Sequence, residues 1–239
     1  MKIKEIDLEG EETLNAIAKA DKFNYWMYSQ MSPFIGGTIL EIGSGIGNIS
    51  RYLVEKFPKA ELSDVRDQYT DKLKEQFPKQ EVHTIDLVAD LFEQKYSDLL
   101  DSFDFVFALN VVEHIKDDKL ALINLAKLVK PGGKIFILVP AYQWLFNSFD
   151  VSLEHFQRYT KSTLSMICPE GCKVKNSFYF NAFGIIGWFS VGSVLRRKII
   201  PEGNMRIYNI ITPIIKVIDI LVFKKIGLSV ICVFQKSQK

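Results

Sequence analysis

Apolar positions along this chain fall into two alternating patterns, and their order predicts an α/β protein. Over residues 11–31, Leu14, Ile17 and Ala18 recur at helical spacing, which predicts one or two helices. Gly36 and Gly37 then turn the chain into 38–42, a short apolar run of strand length. The alternation continues with a helix over 49–57 ended by Pro58, a strand over 60–65, a helix over 70–77 and a strand over 81–86. The run 103–109 is a fourth, strongly apolar strand. A helix over 119–129, stopped by Pro131-Gly132-Gly133, leads to a fifth strand over 134–139. Two late β-rich runs, 173–180 and 228–234, lie around an insertion at 181–225. Strands separated by helices of about ten residues mean βαβ units and a parallel sheet.

With 239 residues and no repeat or linker, the chain suits one domain over 1–239. Its parts are a helical cover at 1–31, a ligand-binding core at 32–140 and a second-substrate side at 141–239. A net charge of +2 is too small for a nucleic-acid binder. Cys168, Cys172 and Cys232 cannot all pair, which favours a reducing compartment, and the Cys168/Cys172 spacing lacks a second ligand pair for metal. Lys2, Lys4 and Glu5 stand where a secretory signal needs an apolar stretch, so a cytoplasmic location is expected.

The chemistry concentrates in Glu41-Ile42-Gly43-Ser44-Gly45-Ile46-Gly47-Asn48, between the first strand and its helix. Glycine lets the backbone turn sharply and approach a ligand, and the helix that follows offers free N–H groups. Asp64 closes the second strand, about twenty residues on, where an acid accepts bonds from ribose hydroxyls. Asp86 closes the third strand and Asn110 follows the fourth; open α/β sheets bind ligands at these strand ends. The loop departs from a dinucleotide fingerprint, because position 48 is Asn48 rather than glycine. A carboxylate at Glu41 would also repel a pyrophosphate, yet it suits a cationic cofactor such as S-adenosylmethionine.

Taken in order, Ile39 to Gly47, Asp64, Ile85-Asp86-Leu87, Phe103-Asp104, Asn110 to His114, and Leu128 to Gly133 resemble the class I S-adenosylmethionine-dependent methyltransferases. The resemblance covers about 31–140 and the two late strands. It implies a doubly wound, mostly parallel seven-stranded sheet with the last strand antiparallel. It also implies that Glu41, Gly43, Ser44, Gly45 and Asn48 hold the methionine end. Asp64 with Val65 would hold the ribose, Asp86 with Leu87 the adenine, and Asn110 the floor. Tyr25, in Phe23-Asn24-Tyr25-Trp26, joins the cofactor-binding candidates. That stretch and the run from Leu145 to Tyr159 are similar to methyltransferases associated with bacterial glycosyltransferases and cell-surface glycan pathways.

Methyl transfer to a hydroxyl needs a base, and a histidine suits that work near neutral pH. His83 lies inside a strand and reads as structural. His114 follows the fourth strand, and His155 lies beyond the fifth with Asp150 and Arg158 nearby. His155 is the favoured base; the other reading makes Asp150, His155 and Arg158 a network that only orders its loop. Ubiquinone-pathway O-methyltransferases carry Glu-x-x-Glu-His for magnesium, but here Asn110 replaces the first carboxylate, so no metal is expected.

The run 182–195, followed by Arg196-Arg197-Lys198, is too short to span a bilayer; 207–223 is broken by Pro213, Lys216 and Asp219. The pair reads either as core helices roofing the acceptor pocket or as a membrane-surface pair at the inner membrane face. The expected function is methylation, at oxygen by preference, of a small-molecule, glycan or lipid-linked acceptor. A non-catalytic S-adenosylmethionine sensor or partner subunit, and a nicotinamide-dependent oxidoreductase, are the alternatives. The oligomeric state is not legible.

Overall fold

The apolar runs at 39–42, 103–109, 135–140 and 230–234 become strands buried on both faces, as a parallel sheet covered by helices requires. The computed structural model describes residues 8–195 and 202–238; the N-terminal lysines and Arg196-Arg197-Lys198 lie outside them. Its elements are α1 (Leu8–Ala18), α2 (Asp21–Met31), β1 (Ile39–Ile42), α3 (Ser50–Lys56), β2 (Glu61–Asp64), α4 (Asp67–Gln76) and β3 (Val82–Thr84). They continue with α5 (Phe92–Lys95), β4 (Phe103–Leu109), α6 (Asp118–Leu128), β5 (Val129–Pro140), α7 (Ser148–Ser152), α8 (Lys161–Met166) and β6 (Cys172–Phe180). Last come α9 (Gly184–Trp188), which runs on as a π-helix over Phe189–Val194, then α10 (Glu202–Leu221) and β7 (Ser229–Lys236).

Among the described residues the sheet has seven strands in the order β3-β2-β1-β4-β5-β7-β6. β7 runs antiparallel to β5 and β6, and the other pairings are parallel. The expected doubly wound sheet with one antiparallel last strand is therefore present. Successive residues serve opposite layers: Leu40, Val106 and Ile137 pack one core, and Ile39, Phe105 and Phe136 the other.

Three boundaries differ from expectation. β3 stops at Thr84, so Asp86 sits beyond it, in a turn closed by its own Oδ1 accepting from Val88 N–H at 2.9 Å. α4 begins at Asp67, three residues early. β5 begins at Val129 and carries Pro131-Gly132-Gly133 within it, with a register shift between Phe103 and Phe105. Proline cannot donate to the ladder, and the bulge absorbs that loss.

α10 packs its inner face on the N-terminal helices: Phe23 meets Tyr208 edge-on at 5.3 Å, and Lys22 N–H donates to Asn209 at 2.7 Å. Buried Asp219 accepts from Asn181 N–H at 2.8 Å and Ala182 N–H at 2.6 Å, which locks the end of β6 to α10. No described helix is long and apolar enough to cross a membrane.

Candidate active site

A cavity of about 1220 Å³ opens at the carboxyl ends of β1, β2 and β4. That exceeds the usual range for one small ligand, roughly 300–1000 Å³, and leaves space for two reactants. Glu41, Gly43, Ser44, Gly45, Asn48 and Asp64 line it, as do Val65, Asp86, Leu87 and Asn110. The glycine loop shapes this wall. Gly43 has φ +72°, and a Cβ there would lie 2.4 Å from Val111 Cγ2, so no other residue fits without a shift. Gly45 N–H donates to Asp64 Oδ2 at 3.0 Å and ties the loop to the end of β2.

Two acids are buried in this wall. Glu41 accepts from Ser50 Oγ at 2.6 Å, yet burial pushes its carboxyl up to about 7. Burial also raises Asp64, against the pull of the Arg66 and Gly45 N–H groups. Asn110 holds φ +54° at the end of β4, a conformation asparagine tolerates. The Asn48 amide is engaged elsewhere, donating to Leu14 C=O at 2.9 Å and so pinning α1 over the site.

Tyr25 lies outside the cavity lining. It is 52% exposed and packs against Tyr28 and Tyr52. Its neighbours Phe23, Asn24 and Met27, at the spacing of one helix face, line the cavity instead. Asn24 is buried, its amide donates to Ile17 C=O at 2.9 Å, and its Oδ1 has no partner among the described residues. The sequence marked this helix, but without helical phase it could not select the correct side.

The opposite wall carries His114, His155, Phe156, Arg158 and Trp188. Asp150 lies behind the lining, fully buried. Its Oδ1 meets His155 Nδ1 and Arg158 Nε, both at 2.8 Å, and its Oδ2 accepts from Asn147 N–H at 2.9 Å. Burial alone would raise Asp150; the bonds from His155, Arg158 and Asn147 outweigh it and hold the carboxyl below its usual range. Arg158 also donates to Ala141 C=O at 3.1 Å and stacks over Trp188 at 4.6 Å. Phe156 N–H donates to Glu113 C=O at 2.8 Å, which draws the His155 loop to the end of β4.

This brings His114 and His155 together edge-on, with ring centroids 4.6 Å apart. Burial first, and then the neighbouring His155 imidazole, lower His114 to about 3, so its imidazole is neutral. Glu113 is completely buried, burial raises it to about 8, and both its carboxylate oxygens lack a partner among the described residues. Donor atoms of Glu113, His114 and His155 lie within 4.8 Å of one another, a spacing that could hold a metal ion. The expectation of no metal had rested on Asn110, and the third donor comes from a loop more than forty residues away in sequence. His83 bonds Glu61 at 2.7 Å between β3 and β2, the structural role expected of it.

A family model described as a methyltransferase domain matches residues 20–189. Over 135 residues, 54% of the chain, it is 28% identical to the chloroplastic tocopherol O-methyltransferase of Arabidopsis thaliana, covering 36% of that protein. The chain spans less than half the length of the curated relatives it matches. In fold it is similar to phosphoethanolamine N-methyltransferase 2 of Haemonchus contortus, solved with S-adenosyl-L-methionine (TM-score 0.55, 18% identity, 90% of this chain and 52% of that one). It is also similar to a SAM-dependent methyltransferase from Archaeoglobus fulgidus (TM-score 0.55, 16% identity, 90% and 94%).

Proposed function

This chain belongs to the S-adenosylmethionine-dependent methyltransferases, and from that premise we propose that it methylates a hydroxyl of a small-molecule, glycan or lipid-linked acceptor, with His155 as general base. The cavity's two unlike walls support the reading. One is acidic and holds Asn24 Oδ1 without a partner; the other presents an imidazole fixed from behind by a carboxylate.

The residues present fit the cofactor. Glu41 and Asp64 are acids that burial has pushed towards the neutral form, and a ligand bearing an ammonium, a sulfonium and ribose hydroxyls gives them the positive charge and donors they lack. S-adenosylmethionine, when bound, supplies an electrophilic methyl group for in-line displacement. Gly43 lets the loop pack against Val111, and Asp64, already bonded by Gly45 N–H, would accept from the ribose hydroxyls.

At the other wall, ionised Asp150 accepts the proton on His155 Nδ1 and so fixes the tautomer whose Nε2 carries a lone pair. That nitrogen takes the acceptor hydroxyl proton as the oxygen gains its methyl group. Arg158 keeps Asp150 ionised, and Trp188 and Phe156 keep water from the reacting oxygen.

The orphaned Glu113 oxygens favour a second reading, in which a divalent transition metal binds Glu113, His114 and His155 Nε2 while Asp150 orients the His155 ring from behind. Such an ion, when bound, would supply Lewis acidity that lowers the pKa of an acceptor hydroxyl. Calorimetry with S-adenosylhomocysteine tests the cofactor wall, and no binding would end both readings. Metal analysis of the purified chain, with turnover before and after chelation, separates the base from the metal.

A further inference from the structure

The segment 181–226 uses one side to close the active site, and its other side is apolar and open. On α10, Ile207, Ile210, Ile214, Val217 and Leu221 recur at three- and four-residue spacing and are between 54 and 70% exposed. The buried face of the same helix holds Thr212, Ile215 and Asp219. A helix covering a core ordinarily turns polar residues outward, whereas this one turns a row of apolar residues outward. α9 and its π-helical continuation repeat the arrangement: Gly187, Trp188 and Val191 line the cavity, while Ile186, Phe189 and Val194 are exposed. The two stretches meet at Asn181, whose Oδ1 accepts from Gly184 N–H and from Tyr208 OH.

The charged side chains that the segment itself carries are mainly basic. The described ionisable side chains of 182–226 are Arg206, Lys216, Lys224 and Lys225, with Asp219 buried; Glu202, at the first turn of α10, is the other acid of the sequence. An apolar helix face flanked by basic residues is what an anionic lipid surface attracts, by burial of side chains among acyl chains and by charge. A two-fold pairing of α10 would instead set these basic flanks against their own copies.

We propose that this face docks on an anionic bilayer, bringing the acceptor side of the cavity to the headgroup level, and that the acceptor is lipid-linked. The docking follows from the surface alone. The acceptor class rests on the methyltransferase reading.

The test uses the full chain with vesicles of phosphatidylcholine, with and without phosphatidylglycerol, in co-sedimentation at low and high salt. Binding to the anionic vesicles is expected, weakened about tenfold or more by high salt. The double variant Ile210→Glu/Ile214→Glu should lose about tenfold or more in vesicle binding and keep its affinity for S-adenosylhomocysteine, which reports an intact fold. If that variant fails to bind S-adenosylhomocysteine, Lys216→Gln/Lys225→Gln, which should halve the salt effect or more, takes its place. A chain that stays in the supernatant with both vesicles overturns the proposal. So does a homodimer, seen by sedimentation velocity, that the isoleucine variant dissociates. Failure of the wild-type chain to bind S-adenosylhomocysteine would strike the methyltransferase reading and leave the vesicle result standing by itself.

Discussion

The two walls of this cavity, which the proposed function gives to the cofactor and to the acceptor, are built by different means. The first is made of strand ends and one glycine loop, so Glu41, Asp64 and Asn110 are delivered by backbone hydrogen bonds of the sheet. The second is made of side chains that hold one another: Asp150 is bonded by His155, Arg158 and Asn147, and Trp188 comes from beyond β6. A wall fixed by the sheet recurs wherever the sheet does, whereas a wall fixed by side chains can be rebuilt for another acceptor. Under the proposed reading the chemistry divides likewise, general on one side and specific on the other.

The largest effect should come from breaking the acceptor wall alone. His155→Gln is expected to lower kcat by about 10²–10⁴-fold, the usual worth of a positioned base, with S-adenosylhomocysteine affinity unchanged by calorimetry. Equal losses in kcat and in cofactor affinity would mean that the two walls are not separable. Asp150→Asn should cost nearly as much in turnover. It should also lower Tm, since a buried network loses its charge, at about 3–5 kcal/mol for breaking such a pair.

Breaking the cofactor wall should do the reverse. Asp64→Ala is expected to weaken S-adenosylhomocysteine binding by about 10–100-fold, the worth of one or two charge-assisted hydrogen bonds, while kcat at saturating cofactor changes little.

The comparison sharpens through pH. Glu41 is protonated in the folded chain up to about 7, well above its unfolded value of 4.5. Its contribution to stability is therefore complete below the unfolded value. It is lost as pH rises towards 7, by on the order of 3 kcal/mol, and is constant above that. Urea unfolding of the unliganded chain at pH 5 and pH 8 should show this loss. Glu41→Gln should remove the loss and weaken cofactor binding at pH 8, trading function for stability.

The smallest effects separate two neighbours on α2. Asn24→Ala should weaken S-adenosylhomocysteine binding by roughly 3–10-fold, a single neutral hydrogen bond. Tyr25→Ala, on the outer face, should change it by less than about twofold, as surface substitutions do.

The fold and the grouping of the glycine loop and its acids along one cavity wall were legible because their signals are local. A strand of Ile39–Ile42, a turn that only glycine permits at Gly43, Asp64 at the end of the second strand and Asp86 just past the third lie in one order along the chain. Strand ends in a parallel sheet necessarily converge, so sequence order already gives spatial order. Tyr25 shows where this stops: the helix was identified, but its rotation about its own axis was not.

The sequence by itself determined the alternating elements, the glycine loop, the acids at or near the strand ends and the histidines available as bases. Only the tertiary structure decided that Asn24 faces the cavity, that the Glu113 carboxylate is buried without a partner among the described residues beside two imidazoles, and that α10 is apolar on its outer face. The reason is physical. Local hydrogen bonding and periodicity set which element forms, whereas the burial of a side chain and the charges it meets depend on segments far away in the chain.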